Sequence, residues 1–154
     1  MVFLMIKLSF ESKFDVEKKV LVDHSFSMKG VNAELFPWLQ LTYPPDVLTE
    51  NVESPGRFFF HSWVLFLGFI PIDYYSFYFT SYNIDGHFHE NSSSLTYKNW
   101  CHIREVIEVE EGCTLKDELE IEPHLILLSP FIRFFVRRLF IHRHRVLKKK
   151  FNKV

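Results

Sequence analysis

Trp100, His102 and Arg104 stand at alternate positions of one strand-like run, Tyr97 to Glu110, and Asp117 stands in the next, Cys113 to Glu122. Alternate residues of a strand share a face. A face that carries a histidine, a guanidinium and a carboxylate has three kinds of chemistry available. The guanidinium and carboxylate can pair away from water. The imidazole can move a proton near neutral pH. Together they can orient the polar end of a molecule bound in an otherwise apolar cavity. Two plainer alternatives stand beside this one: a charged row facing solvent, or a buried pair that only fixes strand register.

Which residues meet depends on the turn. Taking Glu111-Gly112 as a two-residue hairpin loop sets Glu110 against Cys113. Arg104 then opposes Leu119, and Asp117 opposes Val106, one diagonal step from Arg104. Trp100, His102, Arg104, Asp117, Leu119 and Ile121 share a face, and a slip of one residue would remove Asp117 from it. In the run His87 to Ser94, Phe88, Glu90 and Ser92 alternate with His87, His89 and Asn91. Glu90 joins the polar group if that strand lies beside the hairpin.

Other elements must hold these strands. Ile6 to Phe14 alternates apolar and polar residues and predicts a strand. Asp15 to Met28 has only partial helical spacing, and Gly30 breaks it. Asn32 is placed to cap a short helix ending at Leu35 before Pro37. Tyr43-Pro44-Pro45-Asp46 predicts a turn. Arg57 to Phe69 is a nearly continuous apolar run, as in a strand buried on both faces. Ile70-Pro71-Ile72-Asp73 predicts a turn before a strand from Tyr74 to Tyr82. Pro71 and Asp73 interrupt what would otherwise pass for a membrane span, so two strands explain it better. Ser129 as cap and Pro130 in the first turn open a basic helix of roughly 20 residues, about 30 Å long. Phe131, Phe135, Leu139, His142 and Val146 fall on one stripe, with Arg133, Arg137, Arg138, Arg145 and Lys148 largely elsewhere. Residues beyond Leu147 are expected to be solvated and to fray.

A chain of 154 residues fits one domain spanning 1–154. At 47% hydrophobic and 18% aromatic it holds more large rings than a small core needs, which suits a cavity lined with aromatics. The net charge of −1 hides a polarity: positions 123–154 contain nine Lys and Arg and no Asp or Glu. That segment fits either a basic helix beside an acidic sheet or a surface for nucleic acid or an anionic membrane. The basic residues are spread around the helix without a stacking-aromatic motif, so no nucleic-acid partner is expected. Cys101 and Cys113 lie at opposite ends of the hairpin and are not expected to bridge, which fits a reducing, cytoplasmic location. Met1 to Ile6 lacks the regions of a signal peptide. His87-Phe88-His89 and His142-Arg143-His144 lack a third ligand, so no metal is expected. No phosphate-loop, dinucleotide or nucleophile-elbow fingerprint occurs, and no cofactor is expected.

The order of several short motifs resembles the SRPBCC superfamily, the helix-grip group of START lipid carriers, birch-pollen-allergen-like proteins and polyketide cyclase/dehydrases. They are Gly30-Val31-Asn32-Ala33-Glu34-Leu35, Leu41-Thr42-Tyr43-Pro44, Ser62-Trp63-Val64-Leu65 and Gly68-Phe69-Ile70-Pro71-Ile72-Asp73. Phe88-His89-Glu90-Asn91-Ser92, Trp100-Cys101-His102-Ile103-Arg104, Thr114, Asp117 and Phe140-Ile141-His142-Arg143-His144-Arg145 complete the series. The resemblance implies an α+β helix-grip fold: a curved antiparallel sheet around a long C-terminal helix, with two short helices after the first strand. It implies a hydrophobic tunnel for an apolar or amphipathic small molecule, without implying a reaction. Phe131, Phe135 and Leu139 are expected to face the tunnel, with Phe88, Trp100 and Leu119 on the sheet side. Arg104, His102, Glu90 and Asp117 are expected to orient a polar group. If the chain is an enzyme of the cyclase or hydratase type, His102 is the acid or base, with Asp117 or Glu90 orienting it.

Overall fold

The computed structural model describes residues 5–45 and 57–152; Met1–Leu4 and Asp46 lie outside them. Seven strands form one antiparallel sheet in the order β1–β7–β6–β5–β4–β3–β2. They are β1 Ile6–Phe14, β2 Leu39–Leu41, β3 Arg57–Phe66, β4 Ile70–Asn83, β5 His87–Ser94, β6 Tyr97–Val109 and β7 Gly112–Pro123. Two short helices, α1 Lys18–Ser25 and α2 Met28–Leu35, follow β1, and α3 Ser129–Phe151 ends the chain. The sheet curls into a half-barrel around α3. Register shifts between β3 and β4, and between β4 and β5, bend it, because a bulge adds a residue on one strand and increases local twist.

The alternation expected for β1, β5 and the β6–β7 hairpin appears as inward burial. Ile6, Leu8, Phe14, Phe88, Glu90, His102, Arg104, Leu115 and Asp117 are all buried. β3 is different from its expectation. Ser62 and Val64 are buried, but Trp63 between them is 48% exposed and packs on Tyr74 across the outer face. The apolar run therefore supplies two unlike faces, one of them wet. The turn that follows is Leu67-Gly68-Phe69, and Pro71 lies inside β4 beside the Val64/Leu65 irregularity. An edge of irregular pairing accepts a residue that lacks an N–H.

The helical segments also differ in detail. Ser27, not Asn32, caps α2, its hydroxyl accepting from the Gly30 N–H at 3.0 Å. Gly30 lies within that helix because a Cβ there would stand 1.7 Å from the His24 carbonyl oxygen. Asn32 instead bonds both backbone groups of Leu41, tying α2 to β2. Ser129 is the first helical residue of α3, after a 3-10 turn over Ile126–Leu128, and α3 runs for 23 residues. Its buried stripe is Ile132, Val136, Leu139, Phe140, Arg143, His144 and Leu147. That stripe is rotated by about one residue from the expected one, or about 100°. The end of α3 is anchored rather than frayed: Phe151 meets the His24 ring edge-on at 5.3 Å, and Asn152 accepts from the Asp15 N–H at 3.2 Å. Among the described residues no helix is long and apolar enough to cross a membrane.

Candidate functional site

The hairpin turn closes one residue earlier than expected, so Val109 pairs with Gly112 and Arg104 directly opposes Asp117. His102 opposes Leu119, and Trp100 opposes Ile121. The correction amounts to two residues in pairing register. Because the strand period is also two, every expected side chain stays on its face. β5 lies beside β6 with Glu90 opposite His102, so Glu90 does join the polar group.

Asp117 is the centre of a buried network. Its Oδ1 accepts from His102 Nε2 at 2.7 Å and Arg104 Nε at 2.8 Å. Its Oδ2 accepts from Arg104 Nη2 at 3.0 Å and His144 Nε2 at 2.7 Å. The other side of the Arg104 guanidinium donates to Glu34 of α2 through Nη1 at 3.0 Å. Glu34 also receives Arg143 Nε of α3 at 2.8 Å. His144 Nδ1 lies 2.7 Å from Ser12 Oγ of β1. Thus one cluster ties the sheet, α2 and α3 together. Arg104, Asp117 and Glu34 are 0% exposed, and buried charges persist only when neighbouring charges and donors replace the lost water.

The electrostatics follow from that geometry. Burial alone would raise the Asp117 carboxyl, but the Arg104 charge and the His102 and His144 hydrogen bonds hold it well below its usual range. Burial opposes the Arg104 charge, yet Asp117 and Glu34 hold it more firmly protonated than usual. Burial and the repelling Arg104 charge lower Arg143, against the pull of Glu34. A carboxyl depressed in the folded state adds stability that is complete above its unfolded pKa, about 4, and fades as pH falls through the folded value. The Asp117 carboxyl ¹³C resonance should therefore stay at its ionised position as pH falls through about 4, the range in which a free aspartate side chain protonates. Titration of Asp117 near about 4 would show that the network does not hold it.

Beside the network lies a cavity of about 430 Å³ between the sheet, α2 and α3. Its lining is mainly apolar and aromatic, including Phe77, Phe79, Phe88, Trp100, Phe135 and Leu139. The ionisable side chains on its wall are Asp73, Glu90, His102 and Arg143, together with Tyr75, Tyr82 and Tyr97. His102 is clamped edge-on between Phe88 at 5.1 Å and Phe140 at 5.3 Å. Its Nε2 is committed to Asp117, which leaves Nδ1 toward Glu90 Oε1 at 3.6 Å. Glu90 Oε2 accepts from Tyr75 at 2.5 Å and Ser92 at 2.6 Å. Burial and the Glu90 charge push the Tyr75 phenol well above its ordinary pKa, so it stays a donor. The 3.6 Å separation exceeds hydrogen-bond length, so Glu90 Oε1 and His102 Nδ1 do not bond each other directly.

The expected site residues therefore divide. Phe88, Glu90, Trp100, His102, Phe131, Phe135 and Leu139 line the cavity, with Phe131 at its rim and 69% exposed. Arg104 and Asp117 stand behind the wall and hold His102 rather than face the cavity. Leu119 packs in a separate cluster with Ile6, Leu8, Ile121, Ile132, Val136 and Phe140. Glu34, Tyr75, Arg143 and His144 were not foreseen. The sequence signal for three of them is a polar residue on an apolar helical stripe: Glu34 three after Val31, Arg143 three after Phe140, and His144 four after Phe140.

A curled antiparallel sheet closed by a C-terminal helix over an apolar cavity is the helix-grip fold. The chain belongs to the family described as a domain of unknown function (DUF8410), whose model matches residues 12–151. No curated protein matches it. Among solved structures, it is similar to the Zhui aromatase/cyclase from Streptomyces sp. R1128, with TM-score 0.70 and 5% identity over 96% of this chain and 93% of that one. A START superfamily protein from Mycobacterium smegmatis aligns with TM-score 0.63 and 8% identity, covering 96% of each chain. Ara h 8.0201 aligns with TM-score 0.59 and 10% identity over 94% of this chain and 99% of that one.

Proposed function

We propose that the protein binds a hydrophobic or amphipathic small molecule, without covalent attachment, as a single ligand-binding unit across residues 1–154. The observation that carries this reading is the 430 Å³ aromatic cavity with polar groups gathered at Glu90 and His102. Its volume lies within the range of small-molecule sites, roughly 300–1,000 Å³. Phe88, Trp100, Phe135 and Leu139 supply apolar contact, and Phe131 covers the entrance. A ligand hydroxyl donating to Glu90 Oε1, or to His102 Nδ1, would be fixed in orientation, because Asp117 holds the imidazole and Tyr75 and Ser92 hold the carboxylate. The role of Arg104 and Asp117 is to keep that polar wall in place.

A panel of fatty acids, sterols and hydroxylated aromatic polyketides should contain compounds that raise the melting temperature, since a ligand of the folded state adds stability. Glu90→Gln should weaken a hydroxylated ligand by about tenfold or more, as a bond to a charged group contributes roughly 1.5–3 kcal/mol. The matched ligand lacking the hydroxyl should be much less affected. If nothing in the panel shifts melting, and native mass spectrometry shows no copurifying molecule, the cavity is not a ligand site.

One observation favours a second reading, an enzyme of the cyclase or hydratase type. His102 stands on the cavity wall with Asp117 at 2.7 Å behind it, an arrangement that orients an imidazole for proton transfer. In that case His102 is the acid or base, Asp117 positions it, and Glu90 is the second carboxylate. Conversion of a bound linear polyketide to a cyclised or dehydrated product, lost in His102→Gln with binding retained, separates catalysis from carriage.

A further inference from the structure

Apolar side chains stand in solvent on both sides of the cavity mouth. Leu128 and Phe131 form one lip and Ile72 the other; all three are exposed and all line the cavity. Beyond the first lip, Leu125 and the 3-10 residues Ile126 and Leu127 project outward, Leu127 being 95% exposed, and Phe134 continues the patch along α3. Beyond the second, Phe69 and Ile70 extend it through the β3–β4 turn. The β5–β6 turn joins the same end, because the Leu95 N–H donates to Asp73 at 3.0 Å and Leu95 is 70% exposed. A monomeric surface seldom leaves so many large apolar groups together in water without a use for them.

The charge around this patch has one sign on the helical side. Arg133, Arg137 and Arg138 are exposed beside Phe134, and the Arg138 guanidinium lies 5.7 Å from its ring centre. No acidic residue occurs in 123–154. Protruding apolar groups flanked by arginines match the interface of an anionic bilayer, where the apolar groups enter the headgroup region and the cations meet lipid charges. A second copy of the chain fits less well, since a two-fold pairing of this face would set the same arginines against one another.

We propose that the rim of the cavity docks onto an anionic lipid surface, with Leu127 and its neighbours inserted and Arg133, Arg137 and Arg138 against the headgroups. Docking would place the cavity mouth at the bilayer, so an apolar molecule could pass between them without crossing water. The proposal rests on the rim alone and does not require the ligand reading to hold.

The test is cosedimentation of the full chain with phosphatidylcholine vesicles, with and without phosphatidylserine. Binding should need phosphatidylserine and decline at high salt. Leu127→Glu, at a fully exposed position outside the cavity, should lower partitioning about tenfold or more while circular dichroism stays unchanged. Arg133→Glu and Arg137→Glu should each lower it by about fivefold or more. Absence of vesicle binding overturns the proposal, as does equal binding to neutral vesicles that ignores the arginine changes. A concentration-dependent dimer, abolished by Leu127→Glu and without vesicle binding, would assign the face to a second copy instead.

Discussion

Arg104→Ala should leave the chain unable to fold stably at room temperature. The side chain is fully buried and bonds two carboxylates, Asp117 and Glu34, which come from opposite layers of the molecule. Removing it strands Asp117 in the sheet with only the two histidines, and leaves Glu34 to Arg143 alone. Breaking a buried pair by deleting one partner costs about 3–5 kcal/mol. A domain has about 5–15 kcal/mol in all, and here the cavity already withholds packing from the interior. The sharper form of the prediction compares this variant with Arg104→Met/Asp117→Leu. The double replacement removes charge with charge, retains Arg143 for Glu34, and should recover a substantial part of the loss in urea unfolding. If the single variant melts within a degree or two of the parent, the network is not the clamp its geometry indicates. If single and double variants are equally damaged, the energy resides in specific hydrogen bonds rather than in the stranded charge.

The second large effect concerns α3. A chain ending at Ser129 should be insoluble or unfolded. It lacks Ile132, Val136, Leu139, Phe140 and Leu147 from the buried face, and burying each such side chain contributes roughly 1.5–3 kcal/mol. It also lacks Arg143 and His144, the partners of Glu34 and Asp117. A chain ending at Leu147 should fold, but not without cost. It loses Phe151, which packs on His24, and Asn152, which bonds the backbone of Asp15 and Lys13. A loss of about 1–3 kcal/mol is expected from these contacts together, read as a lower urea midpoint with little change in slope. A folded, ligand-binding protein ending at Ser129 would show that the sheet closes without the helix. A chain ending at Leu147 with unchanged stability would show that the last turn merely rests on α1.

The sequence by itself determined which side chains β1, β5, β6 and β7 turn inward. Strand periodicity is local, so the alternation in Ile6–Phe14, His87–Ser94 and the two hairpin strands carries the burial pattern directly. It placed Trp100, His102, Arg104 and Asp117 on one face even though the turn closes one residue before Glu111-Gly112, because a register difference of two preserves faces. Ordered motifs along the chain also carried the helix-grip fold. What the tertiary structure decided is which face of α3 is buried, since Phe131 is apolar yet exposed at the cavity mouth and draws a local stripe away from Ile132 and Val136. It also decided the partners of the buried charges. Glu34 meets Arg104 across 70 positions and Arg143 across 109, and His144 meets Ser12 across 132. No local period encodes a contact of that separation. It exists only once the sheet has curled, the short helices have crossed its opening, and the last helix has been laid along it, so that desolvated charges have no partners left but one another.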